Sequence, residues 1–515
     1  TIRLIDSGAT IEAPFANGRG SVMVGGRFSY TAAVLSLIVP DVSLSYWDYQ
    51  GRARYELDAD NSVEILSFGA GDFLSDIETQ SVELSSNDPN VPASFTTSRR
   101  ENTIVDVGFH RLDLRWDHRI HGGNWRNALM FGLDRTGGDN GNVEVTNHML
   151  GARTEYHQAL DPALTLRAGA DALFESLAQK LQNQNTQVNN GSFDSGPSGN
   201  RDPFNDNPTN DDSDFGFNQT RRDFTTGAWL DAVFAVTPRI EITPGVRTDL
   251  FVSGGRVALA IDPRISARFA LTKKLTVTHG LALVHQAPSF VVPVPGFKPS
   301  LAGGLQSAVQ YSAGLSYSLP QGFESSFSLF QNDFFNMTDL ISVIQLENAA
   351  NQNVTDIRAT GHAYGAELMI RRSLARNVGG FVSYTLSRST RSTGNLQGPA
   401  TTDRTHVLNV ALSGNLGRNW RLGERWLFYS GIPASVVDIR AAQAPPRTPP
   451  FWRLDFKLQK RWYIKSPDAW WGVALEVLNT TLNKEILSGD CVGSACTFQS
   501  IGPVTVPSIG AEGAF

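Results

Sequence analysis

Polar and apolar residues alternate one by one over long stretches of this chain. From Trp47 to Asp58 one face reads Trp47, Tyr49, Gly51, Ala53, Tyr55 and Leu57, and the other reads Asp48, Gln50, Arg52, Arg54, Glu56 and Asp58. From Arg111 to Arg119 the residues Arg111, Asp113, Arg115 and Asp117 oppose Leu112, Leu114 and Trp116. Near the C-terminus Trp452, Leu454, Phe456 and Leu458 oppose Arg453, Asp455, Lys457 and Gln459. A period of two sends successive side chains to opposite faces of a sheet. A soluble sandwich or propeller would alternate too, but its strands run about 5–6 residues, whereas these patterns persist for roughly 10–15. The apolar faces also begin and end with Trp and Tyr, rings with an apolar body and a polar tip suited to a lipid–water boundary. The pattern predicts an all-β fold, a large antiparallel transmembrane β-barrel spanning residues 1–515 as one domain.

The connections orient it. Short links are expected at 58–61, 121–124, 161–162, 237–238, 272–274, 319–322, 374–377, 417–419 and 465–468, and long ones mostly between them, at 75–101, 176–221, 286–305, 331–355, 392–402, 432–450 and 483–504. Short periplasmic turns and long extracellular loops are the asymmetry of outer-membrane barrels. The count reaches about 21 strands, and bacterial single-chain barrels have even numbers. If the last strand descends to Phe515, then residue 1 falls on the outer side, and one more ascending strand is expected before it, making about 22 when complete.

Medium and face assign the charges. At mid-bilayer a charged side chain on the lipid side costs about 2–4 kcal/mol, so Asp48, Arg52, Arg54, Arg111, Asp113, Arg115 and Asp117 are expected to face the lumen. They are the candidate ligand-binding residues, and a solvated or plug-contacting wall is the plainer role.

Composition adds exclusions. The 515 residues are 41% hydrophobic and 18% charged with net charge −6, which argues against a nucleic-acid partner. The longest apolar stretch, Ala32 to Val39, is too short for a membrane-spanning helix. Cys491 and Cys496 flank four residues in an expected outer loop and have the spacing of a small disulfide. Asp202, Asp206, Asp211, Asp212 and Asp214 lack the spacing of a calcium loop, so no metal or cofactor is expected. The aromatics Phe193, Phe204, Phe215 and Phe217 lie in the same segment. No G-x-S-x-G, H-E-x-x-H or P-loop motif occurs, and catalysis finds no support.

Several segments resemble the barrel of TonB-dependent outer-membrane receptors: Leu4 to Phe28, Tyr46 to Gln50, Asp262-Pro263-Arg264 with Gly280 and Gln286-Ala287-Pro288, Gly361 to Arg372 with Tyr384 to Ser387, Thr405 to Asn409, and Pro507 to Phe515. The resemblance implies active uptake of a scarce solute (an iron chelate, cobalamin, a glycan or a peptide) across the bacterial outer membrane, with membrane lipid and TonB as partners. Family members carry a plug and a TonB-pairing box ahead of the barrel, so both are expected before residue 1, unless the plug is a separate subunit. A terminal aromatic such as Phe515 resembles the family's assembly signal. The rival expectations are a plugless channel or structural barrel in a larger envelope complex, and a receptor that signals rather than transports.

Overall fold

Strands pair edge to edge until the last meets the first. The computed structural model describes residues 1–32, 42–84, 94–138, 143–181, 220–288, 301, 303–338, 358–373, 377–393, 396–436, 446–464, 468–492 and 495–514. In chain order the strands are β1 (Ile2–Arg3), β2 (Asp6–Phe15), β3 (Gly20–Ser29), β4 (Val42–Glu56), β5 (Asn61–Leu84), β6 (Ser94–Ile120), β7 (Gly123–Gly138), β8 (Val143–Asp161) and β9 (Leu164–Leu181). There follow β10 (Thr220–Thr237), β11 (Ile240–Ser253), β12 (Arg256–Ala270), β13 (Leu275–Gln286), β14 (Gln306–Ser318), β15 (Phe323–Met337), β16 (Ala359–Arg372), β17 (Val378–Thr393) and β18 (Leu396–Pro399). The last are β19 (His406–Gly417), β20 (Trp420–Tyr429), β21 (Ser435–Val436), β22 (Phe451–Tyr463), β23 (Trp470–Leu478), β24 (Glu485–Val492), β25 (Ala495–Ile501) and β26 (Val506–Ala514).

Twenty-two of these form a closed antiparallel barrel. β18 only caps the outer end of β17, while β21, β24 and β25 make a separate three-stranded sheet. Closure falls on β1, which pairs Ile2 with Ala511 and Arg3 with Gly510 on one side, and Ile2 with Ser7 on the other. This two-residue strand stands where the sequence count left room for one more ascending strand. Closure matters because each unpaired backbone group in hydrocarbon costs several kcal/mol, and it confines the open edge to the stretches of β2 and β26 that the short β1 does not reach.

The two faces separate as the alternation requires. Leu112, Leu114 and Trp116 are exposed on the outer face, whereas Arg111, Asp113, Arg115 and Asp117 are half-buried on the lumen face. On β4 the outward rings Trp47 and Tyr55 bracket the apolar span. Eight residues at ~3.3 Å each on a strand tilted ~40° cover about 20 Å vertically, close to the ~25 Å apolar band of such barrels. Phe15 stacks on Tyr55 with centroids 5.9 Å apart, and Trp462 stacks on Trp471 at 4.3 Å, both near periplasmic turns.

Two of the expected loops carry regular structure, and one outer link is short. β5 keeps pairing with β6 as far as Leu84 and Ser94, so the hairpin extends well into the expected 75–101 loop. Its register mates continue even though its polarity no longer alternates. One outer link is a two-residue turn, Gly254-Gly255, with both φ values positive, at +55° and +74°. The expected 483–504 loop is a hairpin of β24 and β25 whose Cys491 and Cys496 are disulfide-bonded with S–S 2.07 Å. Phe515, the acidic segment from Asp202 to Asp214, and the ring set Phe193, Phe204, Phe215 and Phe217 lie outside the described residues.

Candidate functional site in the lumen wall

The lumen face carries charges that meet across strands. Register places Arg52 beside Leu66 rather than Glu64, and the long guanidinium leans two residues along β5. There Arg52 donates to Glu64 Oε2 from Nε at 2.9 Å and Nη2 at 2.7 Å. Arg115 on β6 reaches Oε1 of the same carboxylate at 3.2 Å. One glutamate therefore serves two arginines. Asp48 accepts from Arg27 Nε at 2.7 Å and Nη2 at 2.6 Å. Arg27 also lies 3.9 Å from Asp6, which accepts a hydrogen bond from the Tyr46 hydroxyl at 2.7 Å. Arg111 pairs with Asp134 at 2.7 Å, and Asp117 with Arg126 at 2.5 Å. Arg54 donates to Ser62 Oγ at 3.3 Å. Asp113 makes no ion pair among the described residues.

All seven sequence candidates thus sit on one wall formed by β4–β6, but the structure does not gather them into a single pocket. Six are engaged by partners, mostly residues the sequence reading did not single out. Glu64 was hidden because its face of β5 reads Ser62, Glu64, Leu66, Phe68, Ala70 and Asp72, half of it apolar.

A second set was missed on β9–β12. Arg247 clamps Asp171 on one side (Nη1 and Nη2 at 2.9 and 2.8 Å) and Asp249 on the other (2.6 to 3.0 Å). The clamp passes over Gly227 of the intervening strand, where an added Cβ would lie 2.1 Å from Asp249 Oδ1. Asp231 and Arg264 likewise meet across Gly245 (3.0 and 2.8 Å), where a Cβ would sit 1.8 Å from Asp231 Oδ1. Each glycine is there because two side chains from flanking strands need the space above it. A signal was available in the sequence. Opposite charges two residues apart on one strand face recur as Arg153/Glu155, Arg221/Asp223, Arg247/Asp249 and Arg453/Asp455, and all four pairs are joined.

Charge-assisted, often bidentate pairs of this kind hold planar groups in fixed orientation. Half-exposed pairs contribute little each, about 0–1 kcal/mol, so their main product is a polar wall with its charges matched. No cluster of three or more metal-ligating side chains exists among the described residues.

Such a wall, inside a closed barrel with an apolar exterior, defines a membrane-spanning β-barrel. A family model described as TonB dependent receptor-like, beta-barrel, matches residues 28–479. The chain belongs to the TonB-dependent receptor family and is an outer-membrane protein of Gram-negative bacteria. No curated protein matches the sequence. Among solved structures, the chain is similar to the ferric-catecholate import receptor Fiu of E. coli K12, at TM-score 0.67 and 12% identity, covering 99% of this chain and 81% of that one. It is similar to the ferric citrate transporter FecA at TM-score 0.68 and 14% identity, covering 99% and 77%. It also resembles FpvAI in its complex with pyocin S2, at TM-score 0.64 and 12% identity, covering 99% and 72%. At these identities the likeness shows the fold. The family and these neighbours are receptors and transporters rather than enzymes.

Proposed function

We propose that this barrel is the receptor for active, TonB-coupled uptake of a scarce solute, with an iron chelate as the best-supported class. The family match over residues 28–479 carries this reading. The names of the similar structures, a ferric-catecholate receptor and a ferric citrate transporter, favour iron chelates over cobalamin, a glycan or a peptide. The lumen wall is compatible with it: charges already matched by neighbours leave a polar surface against which a plug can seat and move without stripping a bare charge of water.

On the same reading, a plug and a TonB-pairing box act with this barrel.

The test is uptake of radiolabelled ferric chelates by iron-starved cells carrying the full-length protein. Accumulation should require this protein and should stop when TonB is deleted. Uptake that persists without TonB, or a large steady conductance of the full-length protein in planar bilayers, would refute energy-coupled transport.

A further inference from the structure

Acids on the membrane-facing side of the barrel follow one pattern, and Glu424 breaks it. Among the described residues the outward acids Asp106, Glu144 and Asp333 lie toward the extracellular ends of their strands. Each of them meets a base: Asp106 and Glu144 share Arg135 at 3.8 and 3.3 Å, and Asp333 has His362 at 2.7 Å. Glu424 on β20 lies deeper and has no such partner.

Register turns Glu424 outward. Its cross-strand partners are Leu412 on β19 and Phe456 on β22, both exposed on the outer face, as is Trp426, the next outward residue of its own strand. Arg421 and Arg425 alternate with it and face the lumen opposite Gln459 and Asp455. Depth follows from β22, whose outward row runs from Trp452 to Trp462, with Phe456 four residues below the first ring and six above the second. At ~3.3 Å per residue on a strand tilted ~40°, Glu424 lies about 10 Å below one ring and about 15 Å above the other. A carboxylate in hydrocarbon is costly, and register sets only apolar side chains next to this one.

A carboxylate between two exposed rings, Trp426 and Phe456, suits an ammonium or guanidinium group. The same geometry narrows what can bring such a group to this depth. Lipid cations stay at the headgroup level, outside the hydrocarbon core. A second copy in the same orientation offers outward lysine or arginine only toward the strand ends: Arg135, Lys180, Arg222 and Arg388 on the extracellular side, Arg372 and Lys460 on the periplasmic side, among the described residues. A different membrane-spanning chain remains, because a basic residue within a span is held at mid-bilayer by pairing with an acid.

We propose that the outer wall around Glu424 is a lateral docking surface for another membrane-spanning protein, whose mid-bilayer lysine or arginine pairs with Glu424 between Trp426 and Phe456. The apolar neighbours Leu412 and Leu422 supply the surrounding contact, and excluding lipid from it strengthens the ion pair. In the isolated barrel the same carboxylate is a cost, which a residue kept only for stability would not be. The surface lies outside the lumen and does not depend on which solute passes or how uptake is driven.

The test reconstitutes the full-length protein in phosphatidylcholine vesicles with a membrane-spanning Leu-Ala peptide that carries one central lysine. Association is read by energy transfer between dyes on the two chains. The lysine peptide should bind about tenfold more tightly than the same peptide with a central leucine. Glu424→Gln should erase the difference, and Glu367→Gln, lumen-facing on β16, should leave it unchanged. Without any peptide, Glu424→Leu should raise the urea midpoint of the protein in vesicles; a fall would make Glu424 a structural residue and overturn the proposal. In cells, a photo-cross-linker in place of Leu412 should capture one membrane-spanning protein. Replacing that protein's intramembrane lysine or arginine with glutamine, or introducing Glu424→Gln here, should abolish the capture. Equal binding of the two peptides, no captured protein, or cross-links only to lipid or to a second copy of this chain would overturn the proposal.

Discussion

Replacing Arg247 with Met tests whether the lumen pairs hold the barrel together or merely decorate it. The substitution keeps most of the aliphatic stem and removes the guanidinium that joins Asp171 of β9 to Asp249 of β11 over Gly227. Two carboxylates are left facing each other without a cation. Removing one partner of a fully buried pair costs about 3–5 kcal/mol, and breaking a fully exposed one costs about 0–1. Here the Asp249 side chain is 7% exposed, Asp171 28% and Arg247 26%. Asp249 bears most of the loss, because water can rehydrate Asp171. The expected destabilisation is about 2–3 kcal/mol, between those limits. Urea unfolding of the refolded barrel in detergent, followed by tryptophan fluorescence, should show the midpoint falling with little change in slope. Adding Asp171→Asn and Asp249→Asn to the Met variant removes the stranded charges and should recover most of the loss. A Met variant within about 0.5 kcal/mol of wild type, or a triple variant no better than the single one, would refute the reasoning.

Gly245→Val should separate Asp231 from Arg264, since even a Cβ there would lie 1.8 Å from Asp231 Oδ1; a loss of about 1–3 kcal/mol in the same unfolding assay is expected. Asp113→Asn should leave stability within about 0.5 kcal/mol of wild type, because Asp113 makes no ion pair among the described residues. Under non-reducing conditions the peptide holding Cys491 and Cys496 should weigh about two mass units less than its reduced form. Reduction should leave barrel unfolding unchanged, because β24 and β25 pair outside the barrel circuit. In the periplasmic turn after β4, hydrogen bonds from the Asn61 side chain and the Asp60 backbone N–H hold the Asp58 carboxyl below its usual range. A depressed folded-state value means the turn is fully supported above about pH 4 and loosens as pH falls through the lower folded value. Hydrogen exchange at Asp60 and Asn61 should follow that course, and Asp58→Asn should abolish it.

How far the sequence could be read depends on which physical cue each feature leaves in it. The lipid face leaves a strong one. A charge turned outward at mid-bilayer is costly, so Leu112, Leu114 and Trp116 had to alternate with Arg111, Asp113 and Arg115, and that run alone indicates strand, face and medium. Closure leaves almost none. The strand between β26 and β2 is two residues long, and nothing in Ile2-Arg3 distinguishes it from the residues that follow. Register is equally silent. Arg52 and Glu64 are separated by a turn of unknown phase, and only the pairing of Arg52 with Leu66 shows how the guanidinium must lean to reach its carboxylate. The tight Gly254-Gly255 turn is one of the exceptions to the long outer connections that composition does not announce.

Most of the pairs, Arg247 with Asp171 excepted, also share an asymmetry that net charge conceals. The Glu64 side chain is 9% exposed while that of Arg52 is 43% exposed. Asp249 with Arg247, Asp231 with Arg264, and Asp455 with Arg453 show the same order. The cause is length. A short carboxylate stays close to its own strand, and a long guanidinium reaches it from the same strand, the next or the one beyond, lying over it on the lumen side. Along these stretches water or solute in the lumen meets guanidinium before carboxylate. A chain with a formal charge of −6 thereby lines much of its pore with the exposed side of arginines. A lysine at the same positions would not substitute for them, because it has no planar fork to bind two carboxylates across a glycine and still present a face to the lumen.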